Sequence, residues 1–172
     1  EHTADAARPD FVKKIVDPIN ALKGDLLPVS AFNGREDGTW DNGTAAYEKR
    51  GIAVNVPEWK IGNCIQCNQC AYVCPHAVIR PFLATEEEAA ASGVEWKQGL
   101  GETKEYKFRI QISPMDCTGC SNCVDVSPAK DKALVMRPLE EQMPQQKNWD
   151  YITKNIGYKQ VVDKTKSVKN LQ

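Results

Sequence analysis

Four short segments carry the hydrophobic pattern of β-strands. Residues 106–112 alternate Tyr, Phe, Ile and Ile with Lys, Arg and Gln, which is typical of a half-buried strand. Residues 52–59 have the isoleucine and valine content of a short strand that ends near Pro57. Two more apolar stretches, at 78–81 and 135–138, each close on Arg-Pro. The pattern predicts a small sheet structure built from these four segments.

Helical spacing dominates the N-terminal part of the chain. Apolar side chains recur there every three to four residues, at Phe11, Val12, Ile15, Val16, Ile19 and Leu22. Asp17 and Pro18 can open a second helical turn, and Gly24 and Pro28 can end it. We therefore predict a mostly helical arm over residues 1–32, followed by a Gly-, Asp- and Asn-rich loop over 33–51.

A second helix is predicted between the strands. Residues 85–92 are rich in Glu and Ala, and Thr85 is followed three positions later by Glu88. This spacing is that of a capping box, in which each side chain satisfies the other's backbone N–H. The segment should form a short surface helix within an insertion at about 82–104.

The strand segments flank two cysteine runs of matching spacing. The first run reads C-x2-C-x2-C-x3-C-P, and the second repeats it 53 residues later with serine in the last ligand position. The two sets are Cys64, Cys67, Cys70 and Cys74, and Cys117, Cys120, Cys123 and Ser127. Prolines 75 and 128 follow them. Each half then reads strand, cysteine loop with short helix, strand.

This spacing is the one by which bacterial ferredoxins hold cubane iron–sulfur clusters. In two-cluster ferredoxins the fourth cysteine of each run ligates the cluster of the other run. The pattern therefore predicts two clusters in the ligand sets that follow. Cluster I is assigned to Cys64, Cys67 and Cys70, with Ser127 at the fourth position. Cluster II is assigned to Cys117, Cys120, Cys123 and Cys74.

Ser127 leaves the fourth ligand of cluster I open. Serine can bind iron as an alkoxide, although hard oxygen suits iron less well than sulfur. Alternatively, the corner iron is lost and a [3Fe–4S] cluster remains, or water or a small thiol caps a [4Fe–4S] cluster. The plainest alternative is a surface serine in a one-cluster protein, but that leaves the first three cysteines without a fourth partner.

Two other functions compete with electron transfer. Zinc also binds C-x2-C pairs, so a structural zinc module is one alternative. A cluster with an open iron can also act as a Lewis acid, as in aconitase-like hydratases, although those enzymes need larger substrate-binding architectures. We expect no catalytic residues, and we interpret the four tryptophans, including Trp59, as packing residues.

Composition narrows the setting of the chain. The 172 residues carry 22 Lys and Arg against 23 Asp and Glu, which gives no electrostatic reason to expect nucleic acid as a partner. No apolar run reaches the length of a membrane span and no signal peptide opens the sequence. Seven cysteines in closely spaced runs favour a reducing, oxygen-poor cytoplasm. A start at Glu1 without methionine leads us to expect a processed chain or an excised fragment.

The predicted fold class is α+β. It consists of a bacterial two-cluster ferredoxin-like fold with pseudo-twofold symmetry, a helical N-terminal arm, an inserted segment between the halves and a C-terminal tail. The expected boundaries are 1–51 for arm and loop, 52–139 for the two-cluster domain, and 140–172 for a tail that packs on the body and frays at its end.

Several motifs resemble the ferredoxin-like domain of pyruvate:ferredoxin (flavodoxin) oxidoreductase. They read Y-E-K-R-G at 47–51, E-W-K at 58–60, C-I-Q-C-N-Q-C-A-Y-V-C-P-H-A-V-I-R-P at 64–81 and M-D-C-T-G-C at 115–120. The resemblance covers roughly residues 11–160. It implies a part of a large thiamine diphosphate enzyme that converts pyruvate and coenzyme A to acetyl-CoA.

Further expectations follow from this resemblance alone. Electrons leave that family one at a time through clusters to ferredoxin or flavodoxin. This chain resembles the part that carries the two clusters nearer the external acceptor, and the other domains are its partners. The chain by itself is not expected to be catalytic. The family has cysteine where this chain has Ser127, which leads us to expect an introduced Cys→Ser change.

Overall fold

A computed structural model describes residues 8–161 of the chain. The chain divides into two compact units, Glu1–Arg50 and Gly51–Gln172. The predicted fraying of the C-terminal end falls on residues 162–172, outside the described residues.

The first unit is helical, but its helices are short and irregular. A π-helical turn, Val12–Val16, runs directly into the α-helix α1, Asp17–Asn20. Three 3-10 turns follow at Gly24–Leu26, Val29–Phe32 and Thr44–Tyr47. The helix therefore ends before the predicted position at Gly24, because Leu22 already adopts a left-handed conformation with φ of 58°. Gly24 instead opens the next turn.

In the part of the second unit that the structure describes, residues 51–161, there are five strands in two small antiparallel sheets. Strand β1 is Asn55–Trp59, β2 is Ile79–Ala84, β3 is Lys97–Gln98, β4 is Lys107–Ile112 and β5 is Leu134–Pro138. Strand β1 pairs with β5, and β4 lies between β2 and β3. Strand β1, which precedes the first cysteine run, thus pairs with β5, which follows the second run. Strand β4, which precedes the second run, pairs with β2, which follows the first. This pairing brings the two runs together.

Strand β1 runs past the expected end at Pro57. It continues to Trp59, which lies opposite Leu134 of β5. Proline lacks an N–H and is therefore tolerated in a strand only where no ladder bond is lost, as at the open edge of a sheet. The sheet formed by β1 and β5 has two strands, so each has such an edge.

Short helices follow the cysteine loops and cover the sheets. Helices α2, Gln69–Tyr72, and α4, Asn122–Asp125, each contain the third cysteine of a run. Helix α3 is Glu86–Ser92, and its predicted capping box with Thr85 is present. Helices α5 and α6 are Leu139–Gln142 and Pro144–Asn155. Within residues 8–161 no helix is long and apolar enough to cross a membrane.

The hydrophobic core lies around the cysteines. One cluster of buried side chains combines Ile79, Ile110 and Leu134 with Cys64 and Cys123. A second combines Val56 and Val78 with Cys117, and Cys74 packs against it. A third joins Ile152 and Ile156, in and after α6, to Ala84 and Ala89. Two of the three clusters therefore surround cysteine sulfurs.

Candidate metal centres

One cavity collects three cysteines of the second run and the last cysteine of the first. Its volume is about 370 Å³, and its lining includes Cys117, Cys120, Cys123 and Cys74. The β1–β5 and β2–β4 pairings carry Cys74 across to the other run. These are the four residues that the sequence pattern assigns to cluster II.

A second cavity collects the first three cysteines of the first run. Its volume is about 340 Å³, and its lining includes Cys64, Cys67, Cys70 and Ser127. Ser127 thus lies with the run that is distant in sequence, at the position that matches Cys74 in the other cavity. The structure places all eight predicted site residues at these two cavities, four at each.

Left-handed residues shape both cysteine loops at matching positions. Gln66 and Asn68 have φ of 59° and 60°, and Gly119 and Ser121, each 53 positions later, have φ of 73° and 66°. Two such residues within a short segment curl the loop around its cavity. Left-handed backbone is uncommon for residues other than glycine, so its recurrence indicates a requirement of the site.

Gly119 has a second reason to be glycine. A Cβ atom there would lie 2.9 Å from the backbone oxygen of Asn55 in β1, and its N–H donates to Cys117 Sγ at 3.4 Å. The matching residue Gln66 has room for a side chain and uses it, because its amide Nε2 donates to the Gln98 carbonyl at 2.7 Å. This bond ties the first loop to β3.

Ser127 is held by the loop that precedes β5. Its Oγ accepts a long hydrogen bond of 3.4 Å from the backbone N–H of Ala133. The Lys132 ammonium donates to the Ser127 carbonyl at 3.1 Å. The hydroxyl therefore keeps its own proton to donate and lies at the cavity wall.

Burial keeps several of the thiols neutral in the absence of metal. Burial raises the pKa of the Cys70 thiol to about 12, and the neighbouring Cys64 and Cys123 thiols push it in the same direction. Burial likewise raises the pKa of Cys123 to about 12, with a further contribution from Cys117 and Cys74. A coordinating metal deprotonates a thiol outright, so loading these sites must release protons. All seven thiols are free of disulfide bonds.

The donor arrangement fits a group larger than one ion. Among residues 8–161 no three or more His, Cys, Asp or Glu side chains lie where they could hold a metal ion. Tetrahedral zinc needs four ligands around one point. Four donor positions line each of the two cavities, which is the number that one cubane cluster takes from its protein.

The second cavity also has two polar atoms that lack a partner. In the part of the chain that the structure describes, the buried side-chain nitrogens and oxygens without a hydrogen bond are Trp59 Nε1 and Asn68 Oδ1. Both residues line the cavity with Cys64, Cys67 and Cys70. Leaving a buried polar group unpaired costs about 1–3 kcal/mol. An acceptor bound in this cavity, such as a cluster sulfur, removes that cost for Trp59 Nε1, whereas Asn68 Oδ1 is itself an acceptor and needs a donor.

The sequence interpretation of Trp59 as a packing residue is therefore incomplete. The residue does pack, with its ring edge to face against Phe108 at a centroid distance of 6.4 Å, but it also lines the cavity. One signal was available in the sequence. The 53-residue offset places Ile112 at the matching position of the second half, so packing alone does not require tryptophan there.

Two families of domain match the chain. Residues 63–130 match the 4Fe-4S dicluster domain, and residues 1–53 match the EKR domain of unknown function. The first match begins one residue before Cys64 and ends after Ser127.

Similar proteins include several pyruvate oxidoreductases. The chain is 59% identical over 136 residues to pyruvate:ferredoxin oxidoreductase of Moorella thermoacetica, which covers 77% of the chain and 11% of the relative. It is 54% identical over 150 residues to pyruvate-flavodoxin oxidoreductase of Klebsiella pneumoniae, which covers 86% of the chain and 13% of the relative. It is 48% identical over 147 residues to pyruvate dehydrogenase [NADP(+)] of Cryptosporidium parvum, which covers 83% of the chain and 7% of the relative. The chain thus spans about an eighth or less of the length of these relatives.

Proposed function

We propose that this chain relays single electrons through two iron–sulfur clusters. It contains a 4Fe-4S dicluster domain and is homologous over most of its length to one segment of the pyruvate:ferredoxin and pyruvate-flavodoxin oxidoreductases. The observation that carries the proposal is the division of eight ligand positions between two cavities. Each cavity takes three positions from one run and the fourth from the other.

The proposed ligands follow this division. Cys117, Cys120, Cys123 and Cys74 hold cluster II, which has four thiolates and is a [4Fe–4S] cluster. Cys64, Cys67 and Cys70 hold cluster I, with Ser127 beside the fourth iron position. Cluster I is either [4Fe–4S], with a serine ligand or an open site, or [3Fe–4S].

A bound cluster supplies reversible one-electron oxidation and reduction at a potential set by its surroundings. The residues of the chain provide those surroundings. The isoleucines and leucines of the core limit the access of water to both cavities. Cys123 of one cavity lies close enough to Cys70 of the other to help raise the pKa of the Cys70 thiol. Such proximity supports transfer of an electron from one cluster to the next.

We also propose the setting in which this relay works. The names of the relatives support ferredoxin or flavodoxin as the external acceptor, and their greater length supports further domains of a parent oxidoreductase as partners. Those other domains carry the oxidation of pyruvate. The closely spaced free thiols support a reducing, oxygen-poor cytoplasm as the location.

The finer architecture belongs to the same proposal. We propose pseudo-twofold symmetry between the halves, with an N-terminal arm over 1–51, an insertion at about 82–104 and a C-terminal segment from 140. The reciprocal strand pairing and the left-handed residues repeated at an offset of 53 support the symmetry. The contacts of Ile152 and Ile156 with Ala84 and Ala89 support the docking of the C-terminal segment.

Anaerobic purification of the chain with iron and sulfide tests the function. We expect about seven or eight irons per chain, visible thiolate-to-iron absorption, and EPR signals of two centres that change on reduction. The reduced chain should then transfer electrons to flavodoxin. A variant with Cys64, Cys67, Cys117 and Cys120 replaced by alanine is the control and should lose both centres. Zinc content without visible absorption would overturn the proposal.

A further inference from the structure

The indole of Trp59 is fixed in place at the wall of the cluster I cavity. Trp59 is the last residue of β1 and lines the cavity beside Cys64, Cys67 and Cys70. Phe108 meets its ring edge to face at 6.4 Å, and the guanidinium carbon of Arg109 lies 5.5 Å from the ring centroid. These contacts hold the orientation of the ring.

Within residues 8–161, the Nε1–H of this ring has no hydrogen-bond partner. It is buried from solvent, and buried indole N–H groups usually find an acceptor. Trp96 follows that rule, because its Nε1 donates to Ser92 Oγ at 2.8 Å. Trp59 Nε1 instead lacks an acceptor, and the residue lines the cavity. The second unpartnered atom, Asn68 Oδ1, belongs to the wall of the same cavity.

Indole nitrogen is a donor only, so its partner must be an acceptor. The acceptors at a loaded cavity are Asn68 Oδ1 and the thiolate sulfurs and sulfides of cluster I, and the sulfurs are the stronger acceptors because they carry the negative charge of the cluster. We propose that Trp59 Nε1–H donates a hydrogen bond to a sulfur of cluster I and thereby raises the reduction potential of that cluster. This assignment rests on the two-cluster function proposed above.

The direction of the effect follows from charge. Reduction adds a negative charge that is shared by the cluster sulfurs, and a hydrogen bond to a charged acceptor is stronger than one to a less charged acceptor. The donor therefore stabilises the reduced state more than the oxidised state. Hydrogen bonds to the sulfurs are among the factors that set cluster potentials.

The effect is confined to one of the two clusters. At the matching position of the second half stands Ile112, which has no side-chain donor. The residues that line the cluster II cavity include no tryptophan. Trp59 therefore contributes to a difference in potential between the two centres, in addition to the contribution of Ser127.

The first test is Trp59→Phe, which removes the N–H and keeps an aromatic ring. Trp149→Phe is the matched control, because Trp149 is also buried but lines neither cavity. An EPR-monitored redox titration should show a more negative potential for cluster I in Trp59→Phe. The potential of cluster II and the iron content should stay at the level of the unaltered chain, and the control should match that chain throughout. An unshifted cluster I potential in an iron-replete Trp59→Phe variant would overturn the assignment.

A second measurement needs no substitution in the chain. Labelling the tryptophans with ¹⁵N at the indole should give a ¹⁵N coupling in the pulsed EPR spectrum of cluster I and none in that of cluster II. Transfer to D₂O should remove exchangeable-proton couplings from the cluster I spectrum, that of the indole N–H among them. A cluster I spectrum without these couplings contradicts the hydrogen bond, whereas a chain without any cluster I signal overturns the two-cluster function and this assignment with it.

Discussion

Position 127 carries a hydroxyl where every other matching ligand position carries a thiol. Ser127 lies at the wall of the cluster I cavity, and its Oγ accepts a long hydrogen bond from the Ala133 N–H. The hydroxyl is thus positioned to bind a metal in the cavity, but its oxygen is a poorer donor to iron than a thiolate sulfur is. The nuclearity of cluster I should therefore depend on this atom.

Replacing Ser127 with cysteine should make the two clusters alike. Ser127→Cys gives cluster I a fourth thiolate, so both centres should become [4Fe–4S] and any three-iron EPR signal of the oxidised chain should disappear. Iron counts and EPR spectra of proteins prepared side by side without oxygen measure this. Ser127→Ala is the control, since it differs from the unaltered chain only if the hydroxyl binds iron. Identical spectra for all three proteins would show that position 127 is not a ligand position.

At the scale of elements, the cluster II loop depends on its approach to β1. Gly119 combines a φ of 73° with a position where a Cβ would meet the Asn55 carbonyl at 2.9 Å. Gly93, which ends α3, has a similar φ of 65° but nothing within 4 Å of an added Cβ. The two glycines separate backbone strain from close packing.

Gly119→Ala should deplete cluster II and leave cluster I in place. The added methyl group must push the loop off β1 and so displace Cys117 and Cys120. Gly93→Ala carries only the left-handed strain, about 1–2 kcal/mol in the free energy of unfolding, and should keep both clusters. Separate EPR signals and iron counts distinguish these outcomes. Equal occupancy of cluster II in both variants would contradict the packing argument.

The strands next to the cysteine runs could be predicted, because their apolar patterns are local and repeated. Strand β3, Lys97–Gln98, could not, since two residues carry no periodicity and the strand is held by pairing with β4. The change from π-helical to α-helical hydrogen bonding within Val12–Asn20 could not be predicted either, because the spacing of apolar residues shows only that one face of the helix is apolar. The partnerless nitrogen of Trp59 emerges only from tertiary packing.

For the whole molecule, the chain should carry electrons without catalysing pyruvate oxidation. It spans 11% of the Moorella thermoacetica relative and 13% of the Klebsiella pneumoniae relative. Purified chain supplied with pyruvate, coenzyme A and thiamine diphosphate should form no acetyl-CoA above background. A full-length relative serves as the positive control. Acetyl-CoA formation by the purified chain would show that the catalytic groups lie within it.

The exchange of fourth ligands between the runs is the central claim. The sequence predicts it from the spacing alone, and the cavities group the same residues through strand pairing that spacing does not reveal. Diffraction at the iron absorption edge from anaerobically grown crystals of the loaded chain tests it most directly. We predict two iron clusters, with Cys74 Sγ bound to the cluster of Cys117, Cys120 and Cys123. Cys74 bound to the same cluster as Cys64, Cys67 and Cys70 would contradict the account.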